Sequence, residues 1–209
     1  MGVSVRLIFV SNRLDADLFD SLDRSQRLIV TRLDALRTGD EDLLDRWLNR
    51  RCAIISVGLG LMTGIGLAAG LWSDLCFVDE PATLRFRSPG PGAADVVAGL
   101  IRRVGRHSLA VLLEETDEVD ARRAELMGAI DGVTPGGVEP LDWVRDWIGR
   151  RSVPAMLSGA ALLRRRGGDV TERAEFSRLF ATGEPQRGLA GFLDKRLPDF
   201  SDVVVIDSR

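Results

Sequence analysis

The 21 residues from Cys52 to Trp72 (Cys-Ala-Ile-Ile-Ser-Val-Gly-Leu-Gly-Leu-Met-Thr-Gly-Ile-Gly-Leu-Ala-Ala-Gly-Leu-Trp) carry no charge and hold glycines at 58, 60, 64, 66 and 70. Arg50-Arg51 precede them and Ser73-Asp74 come after. An uncharged apolar run of about 20 residues is long enough to cross a bilayer as one helix. Divided at Gly58, the same run reads as a buried strand, a glycine turn and a helix start, whose backbone N–H groups can hold a phosphate. A buried glycine-rich segment that binds nothing is the third reading. Each leads to a different molecule, so this stretch constrains the rest of the chain.

The residues downstream of Trp72 favour the strand–turn–helix reading. Leu75-Cys-Phe-Val78 is a second apolar run and ends in Asp79-Glu80, with Asp79 placed 21 residues after Gly58. A dinucleotide-binding unit has this order: a strand, glycines against the pyrophosphate, a helix, a strand, then an acid for the ribose hydroxyls. Gly58, Gly60, Gly64, Gly66 and Asp79 are therefore the expected cofactor-binding residues. Gly60-x-x-x-Gly64-Ile-Gly66 resembles the glycine segment of short-chain dehydrogenases, which implies NAD(P) or another nucleotide as cofactor. The chain departs from that family in having a strand and two helices first and no tyrosine to serve as the family's catalytic one. In the membrane alternative, Gly60/Gly64 and Gly66/Gly70 become helix-packing pairs, and Arg50-Arg51 holds the N-terminal side in the cytoplasm.

Periodicity extends the α/β pattern along the chain. Strands are expected over Val5–Val10, Ala53–Val57, Leu75–Val78, Leu84–Phe86, Leu109–Leu113 and Val203–Ile206. Leu14, Leu18, Leu22, Ile29, Leu33 and Leu36 keep helical spacing. Asp40 can cap a helix with Leu43, Leu44, Trp47 and Leu48 on one face. Further helices are expected over Ala93–Val104, Thr116–Ile130, Leu141–Ile148, Ala155–Leu163, Glu172–Phe180 and Leu189–Leu197. Gly90 and Gly92 form a second, weaker phosphate turn, and 131–137 is a loop that can serve as a boundary or a lid. Continuous apolar strands alternating with helices predict a single α/β domain over 1–209, with a mainly parallel, Rossmann-like sheet and a helical C-terminal portion.

Composition narrows the partners. A net charge of -3 gives no field that attracts nucleic acid, and 45% hydrophobic residues suffice for a core. With one histidine and two cysteines, no zinc site of those ligands is expected. The cysteines lie in apolar runs and suit a reducing compartment, and no secretory signal is read, so a cytoplasmic protein is expected. His107, the only histidine, is the candidate acid–base group. Glu114, with Asp79, Glu80 and Glu115, comes after an expected strand, where an open parallel sheet gathers its ligands. The reading is a nucleotide- or phosphate-ligand-binding protein able to act as an enzyme and to form a homo-oligomer. A non-catalytic interaction module, using Trp143/Trp147 or the leucine stripe at 14–36, is the remaining alternative.

Overall fold

The computed structural model describes residues 6–10, 14–23, 27–33, 40–87, 89–115, 118–164, 169–200 and 204–208, and among these the side chains of all but 111–115, 169–171 and 204–208. The expectations at Val5, Leu36, Thr116 and Val203 lie outside the described residues. In chain order the elements are β1 (Arg6–Val10), α1 (Ala16–Leu22), β2 (Arg27–Arg32), α2 (Glu41–Leu48), β3 (Ala53–Gly58), β4 (Leu61–Met62), α3 (Gly64–Trp72), β5 (Leu75–Asp79) and β6 (Thr83–Arg85). They continue with α4 (Ala93–Glu115), β7 (Glu118–Asp120), α5 (Ala121–Leu126), β8 (Gly132–Thr134), α6 (Pro140–Gly149), α7 (Val153–Arg164), α8 (Asp169–Phe180), α9 (Glu184–Leu193) and β9 (Val204–Ser208).

Six strands make one parallel sheet in the order β8-β5-β3-β2-β1-β9. Its strands are apolar on both faces, because side chains alternate across a strand and both faces are covered. Ile8, Val10, Ile29, Ile54, Cys76 and Val78 pack with Phe19 of α1, Trp47 of α2, Leu67 and Leu71 of α3 and Leu100 of α4. Leu7, Phe9, Leu28, Val30, Ile55, Val57 and Phe77 pack on the opposite face with Leu141, Val144 and Ile148 of α6 and Val153 and Leu157 of α7. A small second sheet, β4-β6-β7, braces the loops beyond β3 and β5.

The parallel sheet and helical C-terminal portion are as expected, but several elements differ. From β1 the strands are added successively on one side, through β2, β3 and β5 to β8, and only β9 lies on the other. A dinucleotide fold reverses its strand order at the crevice beside its glycine turn. Here the turn comes after β3, which has β2 and β5 on either side, so no such switch point exists there. The expected helix over 14–36 is α1 and then β2: Leu28-Ile29-Val30-Thr31 is a buried, largely β-branched run that pairs with β1 and β3. The expected strand at 109–113 is the end of α4, a helix that kinks at Gly105 (φ 80°, ψ 165°). The expected helix to Ile130 divides into β7 and α5, and the expected loop at 131–137 contains β8. The membrane-span alternative is overturned: 52–72 folds as β3, β4 and the nine-residue α3, and among the described residues no helix is long and apolar enough to cross a membrane.

Candidate binding site at the start of the buried helix

β3 is buried along its whole length and delivers the chain to the carboxyl edge of the sheet at Gly58. A side chain there would have to displace Met62, because a Cβ on Gly58 would lie 2.0 Å from its sulfur. The chain turns at Gly60 (φ +59°), whose carbonyl accepts from Thr83 N–H at 2.9 Å. Gly64 (φ +50°) then starts α3 behind Thr63, the N-cap residue. The Thr63 hydroxyl makes no cap bond, and its oxygen is buried with no hydrogen-bond partner among the described residues.

The first helical turn has backbone N–H groups without an intrahelical acceptor. The first i→i−4 bond runs from Leu67 N–H to the Thr63 carbonyl, and the N–H groups of Gly64, Ile65 and Gly66 have no partner among the described residues. The loop before α4 lies directly over this turn. A Cβ on Gly92 (φ +82°) would sit 2.9 Å from Ile65 N, and one on Gly64 would sit 3.3 Å from the Pro91 carbonyl oxygen. Any side chain at position 92 would press on the backbone of this turn, so the close approach of the two segments requires glycine there.

The other end of α3 is closed by arginines. Residues Ile65 to Leu71 are buried, so the last carbonyls cannot reach water. Arg103 Nε donates to the Leu71 carbonyl at 2.7 Å and its Nη2 to the Ser73 carbonyl at 3.1 Å. Arg50 Nη2 donates to the Trp72 carbonyl at 2.8 Å and pairs with Asp74 at 2.9 Å. Asp74 is also held by Arg164 and by Ile54 N–H, which ties the helix end to β3. The positive end of the helix dipole thus meets the carboxyl edge of the sheet, and the arginines complement its negative end.

The expected site residues separate into two groups. Gly58, Gly60, Gly64 and Gly66 all belong to the turn and the first turn of α3, and the Gly58–Val78 register sets Asp79 beside them. Asp79 is half-buried; its Oδ1 accepts from Glu80 N–H at 3.0 Å and from the Thr134 hydroxyl at 3.4 Å. Its Oδ2 has no partner among the described residues. Glu80 pairs with Arg122 and accepts from Gly136 N–H, and the Arg122 hydrogen bond, more than any other cause, holds its carboxyl below the usual range. His107 is exposed on α4, past the kink. Glu114 lies in α4 and not after a strand, so the expected meeting of strand-end carboxylates at 79–80 and 114–115 does not occur. Nothing in the sequence marks Thr63 or the Ile65 N–H as part of a site, since a backbone donor has no residue-type signature; Gly90-x-Gly92 is the one visible trace of this contact. Among the described residues no group of three or more His, Cys, Asp or Glu is placed to hold a metal.

No family model matches the chain. It is similar to 2,3-dehydroadipyl-CoA hydratase from Escherichia coli (strain K12), at 28% identity over 161 residues, covering 70% of this chain and 62% of that protein's length. Among solved structures it is similar to an enoyl-CoA hydratase/isomerase family member at TM-score 0.66 and 19% identity, covering 88% of this chain and 83% of the other. A protein named as an enoyl-CoA hydratase/isomerase from Mycobacterium abscessus also superimposes at TM-score 0.66, with 19% identity and coverage of 94% and 97%. One from Hyphomonas neptunium gives 0.64 and 20%, with 95% of each chain covered. The chain therefore has the crotonase-type α/β fold of the enoyl-CoA hydratase/isomerase structures.

Proposed function

We propose that this protein binds a coenzyme A thioester at the start of α3, with the thioester carbonyl oxygen accepting from the N–H groups of Ile65 and Gly66. The observation that carries the reading is a buried helix at the carboxyl edge of the sheet whose first-turn N–H groups have no hydrogen-bond partner among the described residues. The fold and the Escherichia coli relative, which is named for a CoA ester, support it. Donors fixed in advance and backed by a helix dipole favour an oxygen that gains negative charge, as a thioester carbonyl does when its α-carbon loses a proton or its β-carbon is attacked. Apolar surroundings strengthen that attraction by excluding water. Asp79 is the carboxylate we assign to proton transfer or to a ligand hydroxyl at this edge. On this reading the glycine turn serves a thioester where the sequence suggested a dinucleotide.

Calorimetric titration with crotonyl-CoA and with free CoA tests the assignment. The thioester is expected to bind about tenfold more tightly, the worth of one to two hydrogen bonds. Equal affinities would remove the carbonyl contact from the reading. Binding of NADH in preference to either would return the turn to a nucleotide.

A further inference from the structure

A cavity of about 530 Å3 lies along α6, lined by Trp143, Asp146, Trp147, Arg150, Arg151 and Leu197. α6 covers the sheet face opposite α3, so this cavity and the α3 site are separated by the sheet. Its volume is within the range of small-molecule sites.

Trp143 and Trp147 stand one turn apart on α6 and rest on Phe77 edge-on, with ring centroids 5.3 and 5.1 Å away. Neither indole is fully buried, and both line the cavity. The Arg151 guanidinium lies 3.6 Å over the Trp147 ring while its Nη1 donates to the Trp147 carbonyl, so Arg151 is already engaged. Arg150, the residue before it, is exposed; its backbone N–H donates to the Ile148 carbonyl, and its guanidinium has no ion pair or hydrogen bond among the described residues. Asp146, one turn earlier, makes no ion pair with it among the described residues. Two guanidiniums against one carboxylate leave the cavity net positive.

We infer that this cavity binds a planar aromatic anion, its ring against Trp143 and its carboxylate on the Arg150 guanidinium. A guanidinium presents a flat fork that meets a carboxylate with two parallel hydrogen bonds. An indole without a covering cation offers a face for stacking. A monoanion balances the cavity charge, and an aromatic ring uses apolar surface that a small inorganic anion leaves in water.

The test titrates 2-naphthoate into the full chain, following tryptophan fluorescence and heat. Comparison ligands are 2-naphthamide, which keeps the ring without the charge, and cyclohexanecarboxylate, which keeps the charge without the aromatic face. Saturable one-to-one binding of 2-naphthoate is expected, weakened about tenfold or more in both comparison ligands. Arg150→Gln, at an exposed position, is expected to lose a similar factor without changing the unfolding midpoint. Gly92→Ala, at the other site, is expected to leave 2-naphthoate binding unchanged. Equal binding of the acid and the amide, unchanged binding in Arg150→Gln, or no saturable binding would each overturn the proposal. The last outcome would include a chain that covers this face by self-association.

Discussion

Gly92→Ala tests the proposed site at its narrowest contact, and Gly90→Ala supplies the control. Both glycines have positive φ, +126° at Gly90 and +82° at Gly92, which an alanine adopts only with strain. That strain costs about 1–2 kcal/mol at each position. The two differ in what a methyl group meets. At Gly90 nothing lies within 4 Å, whereas at Gly92 the new carbon would lie 2.9 Å from Ile65 N and 3.0 Å from Gly64 C. The neighbours are backbone atoms, which cannot swing aside as a side-chain end can. Both variants should therefore unfold at lower temperature, by about 2–4 °C for each kcal/mol in a chain of this size. Only Gly92→Ala should lose thioester affinity, because only there does the methyl cover an N–H donor. Losing one hydrogen bond to a carbonyl costs about 1–1.5 kcal/mol, or roughly tenfold in Kd. If the bound thioester reacts, the loss in kcat is larger, about 100-fold or more, because the donor then faces a developing oxyanion. Thermal unfolding and crotonyl-CoA calorimetry on the three proteins measure both quantities. Equal crotonyl-CoA affinity in the two variants would refute the claim that the Ile65 N–H contacts the ligand.

Arg50→Met should cost about 1–3 kcal/mol in urea unfolding, since it takes the donor from the Trp72 carbonyl and leaves Asp74 with Arg164 as its remaining ion-pair partner; a loss under about 0.5 kcal/mol would mean the guanidinium does not hold the helix end. Both cysteines should resist a thiol reagent at pH 8 until the chain unfolds, because burial pushes the Cys76 thiol up to about 11 and the Cys52 thiol higher still; rapid labelling of the folded chain would contradict their burial. Burial raises the Asp23 carboxyl, but the N–H groups of Cys52 and Arg51 outweigh this and hold it below its ordinary value of 3.8. A depressed carboxyl contributes stability above its unfolded value that disappears as pH falls through the folded one. Asp23→Asn should therefore lose less stability than the parent chain on acidification below about pH 4, and parallel acid-unfolding curves would exclude that role.

The central strands were legible because they are short, continuous apolar runs bounded by polar residues. β1, β3 and β5 stand within a residue or two of their expected limits. Such runs cannot by themselves distinguish strand from buried helix, and the two main errors lie there. Leu28 to Thr31 happens to continue the leucine spacing begun at Leu14, so tertiary pairing with β1 and β3, invisible locally, decided against a helix. Leu109-Ala-Val-Leu-Leu113 has the apolarity of a strand but mostly strong helix formers, and it extends α4 past the Gly105 kink. β8, three residues inside a glycine-rich loop, has too little pattern to announce itself and exists because β5 offers an edge.

The site shows the same division between local and distant information. The glycines at 58, 60 and 64 could be read as a backbone turn from the sequence, and each has a reason in the structure: a methionine folded over Gly58 and positive φ at Gly60 and Gly64. Their ligand could not be read, because α3 between Gly64 and Trp72 has no ionisable side chain. What it presents is N–H groups, and those suit a pyrophosphate oxygen as well as a thioester carbonyl. The surroundings of those N–H groups are set by features no short segment contains. Strand order places β3 away from a switch point, and a loop beyond β6 brings Gly92 onto Ile65. Arginines from α4 and from just past the end of α2 close the far end of the helix. A turn that looks generic in sequence thus takes its surroundings from what is packed around it. The contacts on the two ends of α3 from Gly92, Arg103 and Arg50 all come from outside the uncharged glycine-bearing segment itself.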